Sequence, residues 1–334
     1  MPCGVLDKPC YGFKPPLLLR SGHVQTLLAG FRKAEQHASI ISERISTPDG
    51  DFLDLNWSHC TPSAKKNLAI LCHGLEGNYS RSYMTGMSNA LNANGWDSLG
   101  WNLRGCSEEI NKSAKLYHAG CTDDLNTVCE HAVSTQGYSK IILIGFSLGA
   151  NLTLLYASEN RKSLKDILSK VISISAPIDM TSSARALARF FHRGYEKRFL
   201  SSMKEKIKLK ARQFPLEYDI DLLDRVDTIE EFDRTFVAPF HGFSDEKDYW
   251  QKCSSLPKLG KISVPTLIVN AKDDPFLGPE CYPSGVNEEN GLITFEAPVN
   301  GGHVGFFDSY NTRQTWAEKR SIAFITESKA LSQD

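Results

Sequence analysis

Four apolar residues, Ile141 to Ile144, run without a polar interruption into Gly145-Phe146-Ser147-Leu148-Gly149. The spacing then changes: Leu152, Leu155 and Tyr156 recur on one face of a helix. A continuous apolar run of this kind is a strand covered on both faces, so the chain must supply helices on both sides of a sheet. The corner between the two periods is the tightest constraint in the sequence. A sharp strand-to-helix turn forces its central residue into a strained conformation, and side chains two positions either side would collide with the neighbouring turn. Gly145 and Gly149 remove that collision. The Ser147 hydroxyl is then lifted clear of the sheet at the carboxyl end of a central strand, with a helix starting directly behind it.

The same alternation extends over most of the chain. Residues 40–46 and 52–57 flank Pro48-Asp49-Gly50, a turn signature that predicts an antiparallel hairpin. Further strands are predicted at 67–73, 96–103, 140–146, 171–175, 266–270 and 292–296, with helices at 81–92, from Thr122 to about 135, after Ser147, and from 312 to near Ser328. Between the sixth and seventh strands, from about 181 to 260, the chain is helix-rich and highly charged, basic over 185–212 and acidic over 217–233. The expected fold class is therefore α/β, a mainly parallel central sheet with helices on both faces, built as a single domain over 1–334 with a helical cap inserted at 181–260. The opening segment, broken by Pro9, Pro15 and Pro16, reads as an irregular arm covering the core.

Composition narrows the possible roles. A formal net charge of -1 over 334 residues gives no electrostatic basis for a nucleic-acid partner, and nothing in the sequence speaks to oligomeric state. The nine cysteines (3, 10, 60, 72, 106, 121, 129, 253 and 281) are odd in number, scattered and without a CxxC pair, as in a reducing compartment. No metal-ligand spacing and no cofactor-binding signature is present. The N-terminus lacks the pattern of a secretory signal, and no apolar run approaches the roughly 18 to 20 residues of a membrane span. These features predict a cytoplasmic location.

A serine hydroxyl is a poor nucleophile, so it needs a base within hydrogen-bond reach and a third group to orient that base. Strand ends are where such groups belong. The strand at 266–270 runs into Ala271-Lys272-Asp273-Asp274-Pro275, and the next strand leads to Asn300-Gly301-Gly302-His303-Val304-Gly305. His303 is the candidate base. Asp274 is preferred to Asp273 as the orienting acid because Pro275 fixes the turn that follows it, and Asp179, just beyond the sixth strand, is a geometrically possible substitute. An oxyanion formed at the serine needs N–H donors. Leu148, first in the helix, supplies one, and Leu75, in the loop Leu71-Cys72-His73-Gly74-Leu75-Glu76-Gly77-Asn78, is the candidate for the second. His73 reads as a buttress of that loop rather than as a reacting group.

These residues together resemble the α/β-hydrolase superfamily, and further motifs resemble its YheT-like branch: Pro15-Pro16 with Ser21-Gly22-His23-Val24-Gln25-Thr26, the HGLEGN loop, Asn102-Leu103-Arg104-Gly105-Cys106-Ser107, Tyr117-His118-Ala119-Gly120 with Asp123-Asp124-Leu125, GFSLGAN, AKDDPF and GGHVGF. The resemblance covers most of the chain except the cap. It implies Ser147, Asp274 and His303 as a charge-relay triad, acyl esters as substrates and no cofactor. His303 and Asp308 also spell the HxxxxD pattern of acyltransferases, a spacing that adds little once the triad accounts for the histidine. The resulting expectation is hydrolysis of short to medium-chain acyl esters through an acyl-enzyme. The alternatives are acyl transfer to an alcohol by the same intermediate, or a non-catalytic ligand-binding module on the same fold.

In the cap, Arg185, Arg189, Arg193 and Lys197 recur every four residues, and Leu187, Phe191, Tyr195 and Phe199 follow two positions later, about 200° around a helix. An amphipathic helix is expected here, weakened by Gly194. Its aromatic face either packs on the core, or forms a lid lining an acyl pocket, or makes transient contact with a lipid surface while the basic face meets headgroups.

Overall fold

The computed structural model describes residues 12–36, 38–60, 67–189, 192–311 and 313–327. Eight strands form one sheet: β1 (Ile40–Ser46), β2 (Phe52–Ser58), β3 (Asn67–Cys72), β4 (Asp97–Trp101), β5 (Lys140–Phe146), β6 (Leu168–Ile174), β7 (Thr266–Val269) and β8 (Ile293–Glu296). Their spatial order is β1-β2-β4-β3-β5-β6-β7-β8. Strand β2 runs antiparallel to β1 and β4, while all other neighbours are parallel. The hairpin turn closes where the Gly50 N–H donates to Thr47 O, with Gly50 in the left-handed region at φ 82°. The strand order reverses between β3 and β5, so loops leaving their carboxyl ends diverge and open a crevice there.

The continuous apolar run of β5 is explained by burial on both faces. Ile141 and Leu143 join one core with Leu68, Ile70 and Trp101, while Ile142 and Ile144 join a second with Ala69, Leu71 and Ile172. This is the two-residue alternation of a strand covered on both sides.

The helices are α1 (Gly22–Phe31), α2 (Ser82–Ala93), α3 (Thr122–Gln136), α4 (Leu148–Ser158), α5 (Met180–Leu187), α6 (Arg193–Gln213), α7 (Ile229–Phe232), α8 (Ala238–His241), α9 (Glu246–Cys253), α10 (Val286–Glu289) and α11 (Trp316–Thr326). Helices α5 to α9 lie between β6 and β7. A π-helical turn, Asp233–Val237, links α7 to α8. Among the described residues no helix is long and apolar enough to cross a membrane.

Two local expectations are corrected. The opening arm carries, over residues 12–21, a single 3-10 turn at Leu17–Leu19 and is otherwise irregular, with α1 beginning after it; residues 1–11, with Pro9, lie outside the described residues. The last helix starts at Trp316 rather than 312, since Thr315 closes a capping box with Glu318, and Ser328 lies outside the described residues. The amphipathic cap helix is two helices. Helix α5 ends at Leu187 and α6 begins at Arg193, which leaves Gly194 in a first turn, where it costs little. Phe191 lies outside the described residues. The buried stripe of α6 is Leu200, Met203 and Ile207, and Tyr195 and Phe199 sit at its edge against Phe276.

The helical segment between β6 and β7 meets the loop before α3 at a pair of histidines. His118, in the loop before α3, and His241, at the end of α8, have ring centroids 4.3 Å apart. Burial holds His118 down to about 3, with the neighbouring His241 adding to the effect. Burial likewise holds His241 down to about 4, with Lys115 adding. Both rings stay neutral when folded, whereas the unfolded chain takes up their protons below about pH 6.5. Stability is therefore full above that pH and falls as pH drops towards the folded values. By pH 5 the His118 contribution amounts to roughly 2 kcal/mol. Urea unfolding of wild type and His118→Gln at pH 7 and pH 5 should show the variant losing less stability between the two; equal losses would exclude this ring as a source of acid sensitivity.

Candidate active site

Ser147 sits between β5 and α4 with φ 55° and ψ −123°, a left-handed conformation that costs a non-glycine residue about 1–3 kcal/mol. Its neighbours explain why the turn tolerates only glycine. A Cβ on Gly145 would lie 2.2 Å from the Gly149 carbonyl oxygen, and a Cβ on Gly149 would lie 2.3 Å from that of Cys72. These are backbone atoms, so no side-chain rotation relieves the contact.

The three candidate side chains meet. His303 Nε2 lies 2.8 Å from Ser147 Oγ, and His303 Nδ1 lies 2.8 Å from Asp274 Oδ2 and 3.1 Å from Oδ1. Asp274 also accepts from the Phe276 N–H at 2.8 Å, which locks the carboxylate in its turn, and the Phe276 ring packs on the imidazole with centroids 4.3 Å apart. Both Asp274 and His303 are buried. Asp273 points elsewhere: it accepts from the Gly302 N–H at 2.9 Å and so ties the acid loop to the histidine loop. Asp179 caps α5 by accepting from the Ser182 N–H. Asp308 pairs with Lys319 at 2.7 Å.

The Leu75 amide lies in the turn after β3 and the Leu148 amide is the first of α4. Neither donates to a protein acceptor among the described residues. A Cβ on Gly74 would come within 2.9 Å of the Ser147 Cβ, so glycine is what lets this loop approach the serine. His73 braces the same loop. The Leu103 N–H donates to its Nε2 at 3.0 Å, which leaves Nδ1–H to donate to Gly74 O at 2.8 Å, and burial pushes the ring down to about 4, keeping it neutral. Arg104 links Asp49, Asp51 and Asp124 away from the serine.

Ser147, His303, Leu75, Phe199 and Phe276 line two cavities at once. The larger, of about 490 Å³, has a mixed wall, Ser80, Arg81, Arg198 and Ser202 together with Leu27, Phe31, Tyr83 and Tyr195. The smaller, of about 100 Å³, is walled by Leu148, Met180, Leu187, Met203, Ile229 and Leu277. Among the described residues no group of His, Cys, Asp and Glu is arranged to hold a metal ion.

Reading residues for chemistry missed the supports of the histidine loop, which come from α1. Thr26 Oγ1 accepts from the His303 N–H at 2.9 Å. Gln25, fully buried, donates to Phe307 O at 3.1 Å and accepts from Phe307 N–H at 2.8 Å. Ser175 Oγ accepts from the Val304 N–H at 2.9 Å, and Val304 itself is left-handed at φ 61°. The signal was present in Ser21-Gly22-His23-Val24-Gln25-Thr26, but its spacing is helical and carries no chemistry of its own. Helix α1 approaches the acid loop so closely that a Cβ on Gly22 would lie 1.9 Å from Asp273 O. Gly22→Ala should therefore cost about 1–3 kcal/mol and slow fluorophosphonate labelling of Ser147 at least tenfold; unchanged labelling would show that α1 does not set the loop.

Comparison with known proteins agrees with this architecture. Residues 68–310 match the family model described as alpha/beta hydrolase fold. The chain is 32% identical to the putative esterase YheT of Escherichia coli over 91% of its own length and 90% of that protein. It is 25% identical to the human monoacylglycerol lipase ABHD2, over 96% of its length and 80% of the relative. Among solved structures, the Pyrococcus furiosus esterase Pf2001 superposes with a TM-score of 0.56 at 16% identity, covering 86% of this chain and 90% of the other, a likeness of fold. On the extent of these matches, the chain belongs to the α/β-hydrolase superfamily, in its YheT-like branch.

Proposed function

We propose that the chain is a serine esterase that cleaves short to medium-chain carboxylic esters through an acyl-enzyme on Ser147. The observation that carries this reading is the continuous hydrogen-bonded path from Ser147 Oγ through His303 to Asp274, 2.8 Å at each step. His303 Nε2 removes the hydroxyl proton as Ser147 attacks the ester carbonyl, then returns it to the departing alcohol. Asp274 holds Nδ1 protonated and stabilises the imidazolium between the two steps. The Leu75 and Leu148 amides receive the oxyanion, each worth roughly 3 to 4 kcal/mol of barrier in such a site. Water, activated by the same imidazole, then releases the acid.

The two cavities suit the two halves of an ester. The smaller, apolar one takes the acyl chain; at about 100 Å³, against about 490 Å³ for its neighbour, it admits a short chain rather than a long one. The larger cavity, whose wall mixes Arg81, Arg198 and Ser202 with apolar groups, takes the alcohol and is its exit. The helical insertion at 181–260 acts as a cap, since Leu187 of α5 and Phe199 and Met203 of α6 form part of the acyl wall. Names of relatives, an esterase and a monoacylglycerol lipase, support ester substrates. The buried free thiols of Cys60, Cys72, Cys106, Cys121, Cys129, Cys253 and Cys281 suit a reducing, cytoplasmic setting.

A fluorophosphonate probe should label wild type and fail on Ser147→Ala; labelling retained in that variant would remove Ser147 as nucleophile. Asp274→Asn should keep the fold and lower kcat about 10⁴-fold by stabilising the wrong tautomer. Across p-nitrophenyl esters, kcat/KM should peak at about four to six carbons and drop at least tenfold by twelve, as the apolar cavity fills; a maximum at twelve or beyond would refute the acyl-site assignment.

A further inference from the structure

The smaller cavity is apolar except for a few groups, and all but two of these are already partnered. Asn151 uses both ends of its amide, donating to Cys253 O at 2.7 Å and accepting from Ser255 N–H at 3.0 Å. Ser183 pairs with Cys281 Sγ at 3.2 Å. Asp233 differs. It is 6% exposed, lies on the cavity wall, and its Oδ2 accepts from Trp250 Nε1–H at 2.7 Å, with no other hydrogen bond to the carboxyl group among the described residues. Tyr249 and Ala119 border the same cavity; the Tyr249 hydroxyl accepts from the Ala119 N–H at 2.9 Å, and its own proton has no acceptor among the described residues. The second carboxyl oxygen has no protein donor and is not sealed from the cavity, so it stays open to a donor on whatever fills that space. Asp233 also opens the π-helical turn Asp233–Val237, and such single-turn bulges are frequent at functional sites.

We propose that Asp233 is a specificity residue of the acyl site, where it accepts a hydrogen bond from a hydroxyl on the acyl chain, so that hydroxyacyl esters are the favoured substrates. The idea rests on the reading of Ser147 as the acylated nucleophile. A hydroxyl fits better than an ammonium group, because a charged head would have to shed its water against the surrounding Met, Leu and Ile side chains. An unsubstituted chain of the same length would displace water from the second carboxyl oxygen without replacing its donor, and a site built around a buried polar group discriminates strongly against a ligand that lacks its partner. Burial pushes Asp233 up to about 7, with Trp250 opposing and Glu246 adding to the rise. Tyr249 and Cys253, both buried nearby, remain protonated at that pH. The carboxyl group accepts from a hydroxyl in either of its forms.

The test compares kcat/KM for ethyl 3-hydroxybutyrate and ethyl 6-hydroxyhexanoate with the matching butyrate and hexanoate esters, using the full chain in a pH-stat. The ratio of hydroxy to plain ester is independent of how much enzyme is folded. Wild type should favour at least one hydroxy ester about tenfold. In Asp233→Leu that ratio should fall to one or below. Asp233→Asn, which keeps an acceptor for Trp250 and the original volume, should lower it at least threefold and decides the matter if the leucine variant does not fold. A wild type that labels with fluorophosphonate and cleaves plain esters as fast as both hydroxy esters overturns the Asp233 assignment alone, as does a preference that survives both substitutions. A wild type that neither labels nor cleaves any of the four overturns the esterase reading and this inference together.

Discussion

At the carboxyl edge of the sheet, backbone packs directly on backbone. Gly145 lies against Gly149 and Ala150, Gly149 against Cys72 and His73, and Gly74 against Ser147, at separations no Cβ could share. This contact lets α4 start immediately behind β5 and brings the loop after β3 alongside. It also holds Ser147 in a left-handed conformation that would otherwise relax. The exposed hydroxyl, the first amide of α4 and the amide of Leu75 are all consequences of that one close approach.

His303 and Asp274 arrive from loops that lack regular structure, so they need a separate frame. Helix α1 and Ser175 provide it. Thr26, Gln25 and Ser175 bind the backbone of residues 303–307, and Asp273 binds Gly302. The two adjacent acids thus divide the work, Asp273 setting the loop and Asp274 the ring. A strained loop carrying Val304 and Phe306 at positive φ persists because several buried hydrogen bonds over-determine it.

The helical segment between β6 and β7 is tied to the same loops. Lys206 of α6 donates to Glu76 at 2.8 Å, and Glu76 lies in the turn that carries the Leu75 amide. Tyr117 joins the network, accepting from the Glu76 N–H and donating to its carboxylate. Lys210, buried on the same helix, donates to the carbonyls of Asn111 and Ser113. Helix α6 thus touches both the turn that carries the Leu75 amide and, through Phe199, the wall of the smaller cavity.

Much of this was legible in the linear chain. The eight strands, the order Ser147, Asp274, His303 and the place of the helical insertion follow from local rules: period two against 3.6, glycines flanking a corner, acids and a histidine just past strand ends. Those rules act over a few residues, so the sequence alone determines them. Other features depend on groups hundreds of residues apart. Gln25 holds Phe307, 282 positions away, and nothing in its own neighbourhood distinguishes it from a surface glutamine. The break between α5 and α6 likewise escaped a periodicity that reads straight through it. The α1 supports of the histidine loop, the two cavities meeting at one serine and the carboxyl group of Asp233 in the wall of the smaller one were decided only by tertiary structure, because they depend on which surfaces face each other after folding.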